Sequence, residues 1–171
     1  MTGLDVTIGE LFATCERSAV HLEMRDAYSA DDPVFQDWRA GIDVDPASRW
    51  REWFDLVSGT TARSVEIMRA RIVSEPISTY IRYEYEITDG LNIAAGEQVR
   101  WLPRRGASDL ALPGNDFWVF DYRLVAINHF GGEGEWLDIE LSTDPAMLKL
   151  CVAAFEAVWE RATSHADYHP A

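Results

Sequence analysis

A histidine and two aspartates lie close together in a stretch that alternates like two short strands. Asp116 and Asp121 flank the apolar run FWVF, and His129 falls near the end of the next apolar run. The residues between the runs predict a tight turn, so the stretch from Leu112 to Phe130 is expected to form a hairpin. An imidazole beside a carboxylate can act as a general base. One hypothesis is therefore an enzyme that uses His129 with Asp121 or Asp116, and the alternative is a half-buried histidine hydrogen-bonded to the backbone.

Arginine and aromatic residues near the ends of predicted elements form a second candidate set. Arginine matches the planar, two-oxygen geometry of carboxylates, so these side chains could simply pair with the many acidic residues. They could instead define a pocket for a small anionic or aromatic ligand. The candidates for such a pocket are Arg71, Tyr80, Arg82, Arg100, Trp101 and Trp118.

The sequence lacks the common patterns for metals and nucleotides. It contains no C-x-x-C pair, no clustered Cys and His, no P-loop and no glycine-rich turn of the dinucleotide-binding type. We therefore predict neither a metal site nor a cofactor. Cys15 and Cys151 each fall on the apolar stripe of a predicted helix and are expected to be buried free thiols.

Helices and strands alternate irregularly along the chain. Helices are predicted to begin near Thr7 (with Glu10 completing a capping box), Asp32, Asp45 and Ser74, and finally at Thr143 or Asp144. The strands that we predict are 19–24, 64–74, 96–104, the two strands of the hairpin, and the run EWLDIEL. This order predicts an α/β or α+β fold with a single mixed β-sheet flanked by helices and a long C-terminal helix. We expect one globular domain over 1–164 and a frayed tail over 165–171.

The composition narrows the classes of partner. Acidic residues outnumber basic ones by 29 to 15, which gives a formal net charge of −14. Such a surface repels phosphate backbones and anionic lipid, so direct binding to nucleic acid or membrane is not expected. A basic protein partner suits it better, and the seven tryptophans leave a homodimer interface open. Neither a signal peptide nor a membrane span is recognisable, so the cytoplasm is the expected location.

Four stretches together resemble DUF6879, an actinobacterial family of domains of unknown function. They are VSEPISTYIRYE, NIAAGEQVRWLPR, NDFWVFD and LSTDPAMLKLCVAAFEAVWERA. The resemblance covers nearly the whole chain and implies little biochemistry. It does imply a context, because members often lie beside genes for helix-turn-helix regulators.

The hairpin and the motif FEAVWERA are also similar to the C-terminal portion of phospholipase D-like domains. The signature of that family is His, any residue, Lys, four residues and Asp. Aligned on Asp121, the lysine position is Asp116 and the histidine position is Gly114, while the Gly-Ser pair after the second strand falls on Asn128 and His129. Those enzymes attack phosphorus with the histidine and stabilise the oxygens with the lysine. The resemblance therefore implies a phospholipase D-like frame without phosphodiesterase activity.

The function we predict from the sequence is a non-catalytic regulatory or binding module. It would act with a separately encoded helix-turn-helix DNA-binding regulator, as a sensor, a co-regulator or an antitoxin-like inhibitor. A small-substrate enzyme based on His129 and a homodimeric scaffold are the alternatives.

Overall fold

One mixed sheet of seven strands organises the chain in a computed structural model that describes residues 6–29 and 31–171. Its spatial order is β6-β5-β4-β1-β2-β3-β7. The strands are β1 Ser18–Glu23, β2 Glu66–Val73, β3 Gln98–Pro103, β4 Phe117–Phe120, β5 Leu124–Phe130, β6 Trp136–Ser142 and β7 Thr163–Ser164. Residues 1–5, on which part of the signal-peptide prediction rests, and Ala30 lie outside the described residues.

The centre of the sheet is parallel and its flanks are antiparallel. Strand β2 pairs in parallel with β1 and with β3, whereas β4, β5 and β6 continue from β1 as antiparallel neighbours. The predicted hairpin is confirmed as β4 and β5, with Phe117 opposite Ile127 and Phe120 opposite Leu124. The predicted single mixed sheet flanked by helices is likewise confirmed.

Helices cover both faces of this sheet. They are α1 Ile8–Thr14, α2 Pro33–Arg39, α3 Pro46–Arg49, α4 Arg51–Thr61, α5 Thr79–Thr88 and α6 Pro145–Arg161, with a π-helical turn at Asp89–Ile93 and a 3-10 turn at Arg104–Ala107. The capping box of Thr7 and Glu10 is present, and Asp144 caps α6 directly before Pro145. These local signals explain why the helices begin where they do.

The two faces of the sheet bury different kinds of side chain. Helix α6 packs Cys151, Phe155 and Val158 onto an apolar cluster that includes Val20 and Leu22 of β1. Helices α1, α4 and α5 cover the other face, where polar and charged side chains are interspersed with aromatic ones. Every residue of β1 is buried, because helices lie above and below it.

Two predictions about element ends were wrong. Helix α5 is capped by Ser78 rather than Ser74, because Ser74 binds Asp26 through both its N–H and its hydroxyl. The tail over 165–171, expected to fray, is packed: His165 and Tyr168 are buried, and the Ile77 N–H donates to the Ala171 carbonyl. A stacked contact between Tyr168 and Trp101 gives this segment an apolar reason to remain in place.

Both cysteines are buried and free, as predicted. No helix within the described part of the chain is long and apolar enough to cross a membrane.

Candidate functional site

A cavity of about 430 Å³ lies over the polar face of β1 and β2, beneath α4 and α5. We call it the central cavity. Its volume falls within the range of roughly 300–1,000 Å³ that is usual for small-molecule sites. Its aromatic walls are Trp50, Trp53, Tyr80, Tyr83, Trp118 and Trp136, and its polar side chains are His21, Glu23, Asp32, Arg69, Arg71, Glu84, Asn92 and Asn128.

Strand alternation places the charged floor of the central cavity. Side chains two residues apart share one face of a strand, so His21 and Glu23 point away from the α6 core. The parallel register sets His21 beside Arg69 and Glu23 beside Arg71. On the other side, Trp118 lies opposite His21 and stacks on its ring at 4.1 Å. The central strands thus present two charged rows to the cavity.

The two arginines of the floor are held by buried carboxylates. Arg69 donates to Glu23 and, from Nε at 2.7 Å, to Glu97. Arg71 Nε donates to the second oxygen of Glu23 at 2.5 Å. Every one of these four side chains is at most 10% exposed. Such pairs are stable only when both partners stay in place, so the network fixes the cavity floor.

The carboxylates of this network are strongly stabilised as anions. Burial alone would raise the pKa of Glu23, but the charges of Arg71 and Arg69 outweigh it and hold that pKa well below its ordinary value. The pKa of Glu97 is lowered in the same way by Arg69, with a hydrogen bond from Asn92 at 2.9 Å. Asn92 is supplied by the π-helical turn, a rare geometry that often occurs at functional sites.

Glu84 of α5 differs from its neighbours. Its Oε2 is the one buried side-chain nitrogen or oxygen without a hydrogen-bond partner among residues 6–29 and 31–171. The nearest cation is Arg71, whose Nη2 lies 4.0 Å from Oε1, too far for a hydrogen bond. Burial raises the pKa of Glu84 to about 7, with Glu23 adding repulsion and Arg71 opposing both. A buried acceptor left open beside a cavity is a feature that a ligand could satisfy.

His21 joins the floor to the hairpin. Its Nδ1 lies 2.7 Å from the Phe117 carbonyl and its Nε2 lies 3.2 Å from Glu23 Oε1. When protonated, His21 would add a positive charge facing Glu23.

The structure brings together half of the predicted ligand-pocket residues. Arg71, Tyr80 and Trp118 line the central cavity. Trp101 lies buried below the guanidinium of Arg71, 4.8 Å from ring to cation, and donates to His165.

Two predicted pocket residues lie elsewhere. Arg82 is exposed on the outer side of α5. Arg100 points to the opposite face of the sheet, where it donates to the Trp159 carbonyl and lies over that ring at 4.4 Å. Its neighbour Trp101 faces the other way because adjacent residues of a strand alternate.

The proposed catalytic grouping of His129 with Asp121 or Asp116 does not form. His129 is paired with Glu140 of β6 at 2.9 Å, on the face opposite the central cavity. Asp121 lies at the turn end of the hairpin, about 20 Å away along the strands at ~3.3 Å per residue. Alternation along the two runs predicts the hairpin but not its register, which places His129 and Asp121 at opposite ends.

Both aspartates have other partners. Asp121 accepts the N–H groups of Glu16, Arg17 and Ser18, which hold its pKa far below the ordinary value despite burial. Asp116 accepts from the Met24 N–H and, at 2.5 Å, from the Tyr28 hydroxyl. Burial raises the pKa of Asp116 even so.

Sequence reasoning missed Glu23, Arg69, Glu84 and Glu97. A signal for the first two was present, because charged residues alternate with apolar ones in VHLE and in MRARI. A strand with parallel neighbours on both sides is buried on both faces, so its arginines require buried carboxylates. No local signal marks Glu84 or Glu97, whose role depends on helix placement. No group of three metal-binding side chains occurs among the described residues.

The sheet and its helices define a phospholipase D-like fold. The chain matches a phospholipase D family member, Nuc from Salmonella typhimurium, with a TM-score of 0.50 and 10% sequence identity over 91% of this chain and 86% of that one. At this identity the likeness concerns the fold alone.

Across residues 7–170 the chain matches the domain of unknown function DUF6879, and it belongs to that family. TrmBL2, described as an archaeal chromatin protein with a novel mode of DNA binding, also matches, at a TM-score of 0.49 and 11% identity. That match covers 91% of this chain and 47% of TrmBL2. No curated protein matches.

Proposed function

We propose that this chain is a non-catalytic regulatory module that binds a small molecule in the central cavity. The observation behind the proposal is the unpaired, buried oxygen of Glu84 in a cavity that has aromatic walls and a charged floor fixed by ion pairs. Rigid walls with one open polar contact are typical of binding sites. Among the described residues, no serine, threonine, cysteine or lysine side chain lines this cavity.

The phospholipase D-like frame is proposed to be catalytically degenerate. Asp116 stands at the lysine position of the signature, buried and bonded to Tyr28, and Gly114 stands at the histidine position. A carboxylate there would repel a phosphodiester, and glycine has no nucleophile. A hydrolase and phosphodiesterase screen should therefore find no activity. His129 is half-buried and bound to Glu140, and loss of a measured activity in His129→Ala would instead support the enzyme alternative.

The partner we propose is a helix-turn-helix DNA-binding regulator, in the cytoplasm of an actinobacterium. The net charge of −14 supports a basic partner, and the family resemblance adds the gene neighbourhood. Affinity capture from the native host should recover a DNA-binding protein, in smaller amounts as salt is raised because charge attraction is screened. Recovery of chaperones alone would contradict this partnership.

A homodimer is a second candidate that one observation favours. Edge strand β6 exposes Trp136 at 56% and Leu137 at 52%, which is unusual for large apolar side chains. Light scattering would give twice the mass of 19.4 kDa if this edge pairs with a second copy. A monomer mass at high concentration would exclude the scaffold and leave the binding module intact.

A further inference from the structure

We infer that the central cavity selects a small organic cation, with a protonated amine bound by Glu84 and enclosed by aromatic rings. The inference rests on the proposed function, since it names the class of ligand for the same site. It follows from three properties of the cavity: its charge balance, the open acceptor of a lining residue and the chemistry of its walls.

The cationic groups of the cavity floor are already bound. Arg69 is shared between Glu23 and Glu97, and Arg71 between Glu23 and the Thr88 hydroxyl. Buried carboxylates bind Arg69 and the Nε of Arg71, and a hydroxyl binds Arg71 Nη1, so an incoming anion would compete with partners that are fixed in place. An anionic ligand is therefore disfavoured, although two arginines line the cavity.

The open group of the cavity is an acceptor. Glu84 Oε2 has no donor, and the Arg71 nitrogen nearest to this carboxyl remains 4.0 Å from its other oxygen. An ammonium group supplies several N–H donors and a positive charge that can approach this carboxylate more closely than Arg71 does. Binding such a donor would remove the cost of leaving a buried acceptor unsatisfied.

The walls of the cavity suit a cation as well. Indole and phenol rings attract cations to their faces. Two of these walls already do so within the protein, since the Arg69 guanidinium lies 5.3 Å from the Trp118 ring and 5.8 Å from the Trp53 ring. Trp50, Tyr80 and Tyr83 offer further rings around the same space.

Cation binding should depend on pH through Glu84. The ionisable groups around it are His21, Glu23, Asp32, Arg69, Arg71, Tyr80, Tyr83, Glu97 and Asp116, with Tyr28 behind Asp116. Because burial raises the pKa of Glu84 to about 7, this carboxyl is mostly protonated at pH 6 and mostly ionised at pH 8. Affinity for a cation should therefore increase about tenfold from pH 6 to pH 8, with a proton released on binding at the lower pH.

The test uses three probes of similar size, each with a phenyl ring at one end and a positive, neutral or negative group at the other. They are 2-phenylethylamine, 2-phenylethanol and phenylacetate, titrated calorimetrically into the full chain at pH 6 and pH 8. We expect the amine to bind at least tenfold more tightly than the alcohol at pH 8, and phenylacetate to bind more weakly than the alcohol.

Two variants identify the responsible group. Glu84→Gln should reduce affinity for the amine at least tenfold, leave the alcohol unchanged and abolish the pH dependence. Glu156→Gln makes the same change of charge at an exposed site on α6, on the opposite face of the sheet, and should leave all three affinities unchanged. Thermal denaturation of both variants checks that they are folded.

The possible failures are distinguishable. If phenylacetate binds as tightly as the amine, or if Glu84→Gln leaves amine affinity intact, the cation inference is overturned while a binding cavity remains. If none of the three probes binds the folded protein at millimolar concentration, both this inference and the proposed ligand-binding function are overturned.

Discussion

At the residue scale, the protonation of Glu84 links the cavity to stability. Its folded pKa of about 7 lies above its ordinary value of 4.5, so the folded protein keeps a proton that the unfolded chain releases between these values. The folded state binds more protons in this window, and stability therefore falls as pH rises through it. At ~1.4 kcal/mol per pKa unit, the effect approaches about 3 kcal/mol above pH 7.

Glu84→Gln should remove this loss. The variant should nearly equal the wild type near pH 4 and exceed it by about 1 to 3 kcal/mol at pH 8, because glutamine is neutral at both values. Urea denaturation at the two pH values measures the difference. Glu156→Gln, which changes an exposed carboxylate, should show no such divergence. A Glu84→Gln variant that is less stable than the wild type at pH 8 would mean that ionised Glu84 is stabilised by Arg71.

Asp121 has a structural role, although it aligns with a catalytic residue. It adopts a positive φ of 52°, which asparagine also tolerates, and it receives three backbone N–H groups that precede or begin β1. Asp121→Asn keeps the shape and removes the charge, so it should cost about 2 to 4 kcal/mol at pH 7. Because the folded pKa is depressed, the deficit should shrink as pH falls below the ordinary value of 3.8.

Urea denaturation at pH 7 and pH 3 would measure the effect of Asp121→Asn, with the exposed Asp138→Asn as control. Equal stability of both variants at pH 7 would show that Asp121 is not a structural anchor.

Residue chemistry was partly readable from the sequence. The clustering of arginine and aromatic residues near the ends of predicted elements indicates a ligand pocket. Of the residues it points to, Arg71, Tyr80 and Trp118 line the central cavity. Arg100 and Trp101 are adjacent on one strand, so their side chains point to opposite faces of the sheet and cannot line one pocket. Glu84 could not be predicted, since its lack of a partner depends on how α5 lies over β2.

At the element scale, the C-terminal segment behaves as part of the core. Tyr168 stacks on Trp101 at 5.5 Å and donates its hydroxyl to Glu75, while Tyr85 donates to its carbonyl. Tyr168→Ala should therefore destabilise the protein by about 3 kcal/mol, as expected for truncating a buried aromatic side chain. The exposed His169→Ala should have no measurable effect.

Thermal or urea unfolding of these two variants tests the segment. If Tyr168→Ala and His169→Ala unfold at the same temperature or urea concentration, the tail contributes nothing to stability. The frayed tail predicted from the sequence would then be correct. The polar run SHADYHP gave no local sign of docking. Its burial depends on the distant Trp101 and Glu75, which only the fold brings near.

Element order was the most predictable part of the fold. The hairpin, the capped helices and the buried strands follow from alternation, capping residues and proline positions. The start of α5 was misplaced because Ser74 and Ser78 are both acceptable caps, and the choice is made by Asp26 on another loop.

At the scale of the whole molecule, charge should govern what the protein avoids. A protein with a net charge of −14 is repelled by duplex DNA and would release no counterions from it on binding. The purified chain alone should not retard DNA in an electrophoretic shift at about 0.15 M ionic strength. Retardation that weakens as salt is added would reveal a basic surface patch. It would contradict the prediction that this chain does not bind DNA directly.

The central claim is that the cavity over β1 and β2, rather than the hairpin, is the functional site. Of the seven tryptophans, Trp50, Trp53, Trp118 and Trp136 line it, whereas Trp38, Trp101 and Trp159 do not. The most direct measurement is an NMR titration with 2-phenylethylamine that follows all seven indole N–H resonances in the wild type and in Glu84→Gln. We predict that the resonances of the four cavity tryptophans shift saturably in the wild type and that these shifts are lost in Glu84→Gln. Shifts confined to the other three tryptophans would contradict the account, and so would shifts that Glu84→Gln leaves unchanged.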